Sequence, residues 1–339
     1  MDNIDIFDAS ALSFFRALVT NSLKGESRRG IPLTAGLGRL ATLIDVFRFQ
    51  RKQRRIRTAA ARAGHTVPPV VIASVTRRCN LNCAGCYSRE LRGTGIGTGA
   101  GAEAGRGTEL SDDRFMEIFR EGLSMGVGTI MLAGGEPLLR RNLLRKAAAL
   151  RGPLIPVFTN GTLMDEEYFT LFASSRLVPV FSIEGDSEFT AERRGTGVHE
   201  GVLKNARELR RRGILFGFSI TLTAENADQV LSPGFLSLIE STGAIVLFLV
   251  EFVPIAPGTD HLVIKPYQKE ILLAPGIFDS FRFSVVKLPG DEERFGGCLA
   301  AGRGFIHIAD DGKIEACPFA PFSDTGVAEG SLSDALESP

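Results

Sequence analysis

Between Pro68 and about Asp260, short apolar runs alternate with stretches in which apolar residues recur at helical spacing. The runs "VVIASV", "TIMLAGG", "LIPVFTN", "VPVFSIEG", "ILFGFSITL" and "AIVLFLVEF" are rich in β-formers and nearly continuous in apolar character, which predicts strands covered on both faces. Between them lie "SDDRFMEIFREGLSMG", "LLRRNLLRKAAALRG", "DEEYFTLFASS", "HEGVLKNARELRRRG" and "DQVLSPGFLSLIESTG". In the first of these, Ser111 is placed to cap a helix, Asp112 and Asp113 occupy its first turn, and Phe115, Ile118 and Phe119 share a face. Six strands alternating with helices predict an α/β fold with a parallel sheet and right-handed crossovers. An open doubly wound sheet and a partial (β/α) barrel both satisfy the pattern.

The flanks differ. Residues 1–66 read as a helical extension: "SALSFFRALV" is one amphipathic piece, and "TAGLGRLATLIDVFRFQ" spaces Leu37, Leu40, Ile44 and Phe47 as an apolar stripe. The helix continues into "RKQRRIRTAAARAG", with Gly64 as its stop. The cations of 48–62 can meet a polyanion or an anionic membrane surface, but the reading adopted is a solvated outer face of a long helix rather than a membrane contact. Residues 67–260 form the alternating core. In 261–339, "FRFSVVKL" and "GFIHIADDGKIEACPF" read as strands, the second as a hairpin turning at "ADDGK". The glycine-rich segment 92–109 has no apolar period and predicts a mobile loop. Its G-x-G spacings neither follow a strand nor open a helix, so no nucleotide fingerprint is read there.

Composition narrows the partners. With 39 Lys plus Arg against 39 Asp plus Glu, no overall charge points to nucleic acid or an acidic membrane. "MDNIDIFDAS" begins with acid rather than base, so no secretory signal is read. The most apolar stretch, "AIVLFLVEFVPIAP", is too short to span a bilayer and carries Glu251 and Pro254. A cytoplasmic protein with reduced thiols is the expectation, and there clustered cysteines favour metal over disulfide.

Cys79, Cys83 and Cys86 follow a C-x3-C-x2-C spacing in the loop that leaves the first predicted strand. Ligands of parallel α/β folds bind at the carboxyl ends of the strands, so a cofactor belongs there. A structural zinc wants four closed ligands, usually two C-x2-C pairs; no second pair is present, and no histidine lies near in sequence. A disulfide would leave an odd thiol. Thiolates also hold cubane iron–sulfur clusters, normally four per cluster, and three would leave one iron open for a small molecule.

With these residues in view, 67–260 resembles the radical S-adenosylmethionine (SAM) enzyme family. In that family's cysteine motif an aromatic residue usually fills the slot held here by Gly85, and the aromatic of this chain, Tyr87, follows the third cysteine. The second family motif is "GGEP", Gly134, Gly135, Glu136 and Pro137, at the end of the second strand; then come "TNGT" after the third, "SIEG" after the fourth, and "ERRGTG". The resemblance implies a partial (β/α)6 TIM-like barrel with the helical extension before it and a small β-hairpin domain after it. It implies that the three cysteines hold a [4Fe–4S] cluster whose open iron binds SAM, and that a low-potential flavodoxin- or ferredoxin-like donor supplies the electron. Glycines at a strand end let carbonyls approach a ligand, so "GGEP" is expected to meet the SAM ammonium group. A branched side chain at Gly135 should then block SAM and leave the cluster intact. By position, Ser182 and Arg194 would take the carboxylate and ribose side, Asn160 would line the site, and Tyr87 and Glu184 join the cofactor-binding set.

"CLAAGRGFIHIADDGKIEACPF" resembles the start of a SPASM or twitch domain, in which cysteines around a hairpin ligate auxiliary [4Fe–4S] clusters. Only Cys298 and Cys317 are present; Asp324 is a non-cysteine candidate. "SLSDALESP" reads as a helix just beginning, where related chains usually run on to another cysteine. The resulting expectation is SAM cleavage to a 5′-deoxyadenosyl radical acting on a peptide, tetrapyrrole-like or other bulky substrate. The alternative is a non-catalytic iron–sulfur protein for electron transfer or sensing. No general acid or base is assigned; Glu184 and Glu251, at strand ends, are the candidates.

Overall fold

The structure is a computed structural model that describes residues 33–92, 108–288 and 296–337. "SALSFFRALV" and most of the glycine-rich segment lie outside the described residues. The six apolar runs are the strands β1 (Val70–Ser74), β2 (Thr129–Ala133), β3 (Ile155–Thr159), β4 (Leu177–Ile183), β5 (Gly217–Leu222) and β6 (Val246–Glu251). Three more follow: β7 (Ser284–Leu288), β8 (Phe305–Ile308) and β9 (Ile314–Glu315). They form one sheet in the order β7-β6-β5-β4-β3-β2-β1-β8-β9, parallel throughout except for the β8–β9 hairpin. The sheet curls into a half-barrel.

Both flanks of the sheet come from 261–339. β7 pairs parallel to β6, and β8 pairs parallel to β1 with Ile72 opposite His307. The predicted turn "ADDGK" is observed, with Gly312 at φ +90°, a left-handed conformation that suits glycine. Ser74 Oγ lies 2.8 Å from His307 Nε2, and His307 Nδ1 lies 2.7 Å from Glu315 Oε2; all three residues are buried. The hairpin is thereby keyed to the first strand.

Alternation sorts the strands into two faces. Val71, Ala73, Ile130, Leu132, Ile155 and Val157 point to the helices and share the main core with Phe115, Ile118 and Phe119. Met131, Phe158, Val180, Val246, Phe248 and Leu288 form a separate cluster on the concave face. The helix Asp112–Met125 has the predicted cap, Ser111 Oγ accepting from Arg114 N–H at 3.1 Å, and ends on Gly126 in a left-handed conformation.

The N-terminal helix Leu33–Arg62 departs from expectation. Ile44 and Phe47, read as part of an apolar stripe, are 43% and 38% exposed, while the side chains of Leu37 and Leu40 lie outside the described residues. The buried positions are instead Val46, Gln53 and Arg57. The reason is the neighbour: the helix lies on the C-terminal end of Asp112–Met125, where the last carbonyls need donors. Gln53 Nε2 donates to Leu123 O (2.6 Å) and Val127 O (2.7 Å), and Arg57 donates to Gly126 O (2.6 Å). Gln50 Nε2 reaches Gly128 O, just before β2, at 2.8 Å. Arg57, read as part of a solvated run, is a buried capping residue.

Gln53→Ala strips donors from buried carbonyls and should lower stability by about 1–3 kcal/mol. Urea unfolding should show it, together with faster proteolysis within 33–62.

Candidate functional site

The cysteine loop leaves the C-terminal end of β1 and is stitched to the end of β2 by backbone hydrogen bonds. Val75 N–H donates to Ala133 O (2.9 Å), Gly135 N–H to Thr76 O (2.6 Å), and Glu136 N–H to Arg78 O (2.8 Å). The approach is close because Gly134 and Gly135 carry no side chain. A Cβ on Gly134 would stand 2.4 Å from Thr76 O, and one on Gly135 would stand 2.1 Å from Arg78 O, the residue before Cys79. The missing side chain at Gly135 thus admits the backbone of the cysteine loop, so a branched side chain there would strike that loop first.

Glu136 is buried and its carboxylate is spent on the scaffold. Oε1 accepts from Leu138 N–H (3.0 Å) and Thr159 Oγ1 (2.7 Å), and Oε2 accepts from Asn160 N–H (2.8 Å), tying β2 to β3. Burial pushes the pKa of this carboxyl above the ordinary carboxylate value, while those donors pull it back down. Pro137 opens a short 3-10 turn, Pro137–Leu139. Asn160 is turned to the cysteine loop, with Nδ2 2.9 Å from Asn80 Oδ1 and 3.9 Å from Cys79 Sγ.

The other side of the loop is held from β4. Ala84, between Cys83 and Cys86, donates to Arg193 O (2.9 Å), and Arg193 Nε donates back to Ala84 O (3.1 Å). Glu184 Oε1 accepts from Arg193 Nη1 and Arg194 Nε, both at 2.7 Å. Glu184 is buried, and its second oxygen, Oε2, has no partner among the described residues. One carboxylate between two guanidiniums leaves net positive charge beside Cys83 and Cys86. Ser182 is half-buried and shares the concave face with Val180.

These surroundings govern the thiols. Burial pushes Cys79 up to about 11, with Glu136 and the other two cysteines adding to the rise and the Leu81 N–H opposing it. Cys83 is raised by burial against the pull of Arg194. Half-buried thiolates crowded near a carboxylate call for a cation, and iron bound by all three would supply it. Among the described residues, no three His, Cys, Asp or Glu side chains close on a single ion position. A cubane does not ask for that, because its thiolates bind separate irons. With the orphaned Glu184 oxygen beside them, the residues present fit a cluster and a small ligand carrying hydrogen-bond donors.

The remaining candidates fall elsewhere. Tyr87 packs edge-on against Phe319, ring centroids 5.0 Å apart, so it joins the cysteine loop to the Cys317 segment. Ala301 N–H donates to Ala316 O at 3.1 Å and holds the Cys298 and Cys317 segments side by side. Glu251 shares the helix-facing side of β6 with Leu247 and Leu249 and meets Lys269 at 3.3 Å, away from the concave face. Sequence reading missed Arg193, although it stands in the quoted "ERRGTG". It also missed Arg140, which donates to Val75 O (2.9 Å) and Leu110 O (3.0 Å) under the start of the loop. No spacing rule marks Arg140.

Residues 73–232 match the radical SAM superfamily. The chain is 28% identical over 200 residues to Fe-coproporphyrin III synthase of Methanosarcina barkeri, covering 58% of this chain and 47% of that protein. It thus spans about half the length of that relative. It is 25% identical over 304 residues to AdoMet-dependent heme synthase of the same organism, covering 80% and 82%. Among solved structures, Streptococcus suis SuiB bound to its precursor peptide SuiA shares the fold, with TM-score 0.61, 17% identity and coverage of 85% and 68%.

Gly135→Val should cost the cluster itself: reconstituted iron and its visible absorbance should fall together with SAM binding. Normal iron with SAM binding alone lost would mean that the missing side chain at Gly135 makes room for the ligand rather than for the cysteine loop. Because the Cys79 thiol ionises only near 11, its alkylation in the metal-free protein should be slow at neutral pH and still climb as pH rises toward that value, read by mass spectrometry.

Proposed function

The chain belongs to the radical SAM superfamily, and from that premise we propose that it is an enzyme whose centre is the loop of Cys79, Cys83 and Cys86. These three thiolates hold a [4Fe–4S] cluster and leave one iron for SAM. Bound together, cluster and SAM supply a 5′-deoxyadenosyl radical that takes a hydrogen atom from the substrate. The observation that carries the reading is the buried Oε2 of Glu184 beside the cysteine loop, without a partner among the described residues.

The chain's residues bind and orient. The carbonyls of Gly134 and Gly135 accept from the SAM ammonium group, since the Glu136 carboxylate is already occupied by the scaffold. Ser182 and Arg194 take the carboxylate and ribose side, with Arg194 held in place by Glu184. Glu184 Oε2 accepts from a ligand donor. Asn160 fixes the cysteine loop and Tyr87 braces it. A low-potential flavodoxin- or ferredoxin-like protein delivers the electron.

The substrate we propose is bulky. β7 and β9 are the two ends of the strand order, so the sheet does not close on itself, and its concave face carries Met131, Phe158 and Phe248. An open, apolar wall suits a tetrapyrrole, the class named by both Methanosarcina barkeri relatives. A peptide substrate has the support of the SuiB and anSMEcpe folds and of a relative named PqqA peptide cyclase, 27% identical over 184 residues. Residues 261–339 cover the cysteine loop through Phe319, and we assign Cys298 and Cys317 to a second cluster site that holds iron weakly, two thiolates being half the usual set.

Anaerobically reconstituted protein should carry about four irons and, given SAM and a strong reductant, release 5′-deoxyadenosine. Changing Cys79, Cys83 and Cys86 together to Ala should abolish both. A sound cluster without 5′-deoxyadenosine would favour the electron carrier, and stoichiometric zinc without sulfide would defeat the iron–sulfur reading. Ser182→Ala should weaken SAM binding about tenfold, the loss of one hydrogen bond, at unchanged iron content. Cys317→Ser should leave the first cluster's spectrum as it was.

A further inference from the structure

The outward face of the helix Leu33–Arg62 concentrates exposed cations between residues 48 and 55. Several surface arginines elsewhere are paired with acids: Arg141 and Arg145 with Glu167, Arg211 with Glu208, Arg212 with Glu166. Arg48, Arg51, Lys52 and Arg55 are exposed at spacings that put them on one face, and none forms an ion pair with a described residue. Asp45, the acid of this stretch, is turned toward Arg176 at 3.4 Å. One turn back along the same face stand Ile44 and Phe47, large apolar side chains left in water. The Arg51 guanidinium lies over the Phe47 ring at 5.9 Å.

A row of unpaired cations continued by exposed apolar side chains is the arrangement that settles at a lipid interface, the cations on head groups and the apolar side chains at the acyl boundary. We propose that this helix face docks the protein reversibly onto an anionic lipid surface. Nucleic acid is the weaker match, because a phosphate backbone gives Ile44 nothing to bury against and the chain's overall charge is balanced. No described helix is long and apolar enough to cross a membrane, so the contact is peripheral. The placement is workable for the enzyme. Gln50 meets the loop before β2, and a Cβ on Gly152, before β3, would strike Phe49, so the helix sits at the N-terminal ends of the strands. The cysteine loop leaves the C-terminal end of β1, and lipid docking leaves that mouth open.

The test is flotation of the full chain, cluster reconstituted, with vesicles of phosphatidylcholine alone or mixed with phosphatidylglycerol. It should rise with the mixed vesicles only, and added salt should weaken the association. Arg48→Gln, Arg51→Gln, Lys52→Gln and Arg55→Gln should each lower the partition coefficient about fivefold, the equivalent of about 1 kcal/mol per cation. Phe47→Ser should weaken binding at low and high salt alike while leaving the melting temperature unchanged. Equal flotation with both vesicle types, binding that survives removal of all four cations, or capture of single-stranded RNA without capture of vesicles would each overturn the proposal. So would loss of binding on deleting residues 1–32 with the four-cation variant still bound. The readout is independent of SAM chemistry, so it fails or stands apart from the proposed activity.

Discussion

The candidate centre depends on two backbones lying closer than side chains allow. Gly134 and Gly135 bring the exit of β2 against residues 76–78, and the next residue is Cys79. A hydrogen-bonded contact of that kind fixes where the loop starts, and a start fixed at one end leaves few conformations for the thiols that follow. Glu136 completes the clamp with a buried carboxylate that takes three donors from neighbouring elements. The motif that looks like a ligand cradle in sequence is first a joint within the protein.

Charge is the second constraint. The Cys79 and Cys83 thiols resist ionisation, and Glu136 increases the cost at Cys79. Arg193 and Arg194 work in the opposite sense near Cys83. Glu184 is shared between them, which holds both guanidiniums in place while cancelling only part of their charge. The loop is thus suited to completion by metal, and under the proposed function the second oxygen of Glu184 and the hydroxyl of Ser182 would serve a ligand on that metal.

The strands were legible because their apolar runs are long and bounded by turn residues; all six from "VVIASV" to "AIVLFLVEF" are present and parallel. The cysteines and "GGEP" were legible as local spacings. What stayed hidden was set by partners remote in sequence. Ile44 and Phe47 share the period of an apolar stripe, but the neighbouring helix end offers bare carbonyls, so Gln53 and Arg57 turn inward instead. Glu251 sits at a strand end like Glu184, yet falls on the opposite face. A branched side chain at Gly135 reads as a block to SAM alone until the Arg78 carbonyl is seen to lie in its way.

The claim at the centre is that this loop leaves one iron to an exogenous ligand while the protein keeps the rest. Mössbauer spectroscopy of the reconstituted protein, recorded before and after SAM is added, tests it directly. One iron site should change its environment on binding and the other three should remain as they were. A spectrum in which no iron responds to SAM, or in which all of them do, would contradict the account.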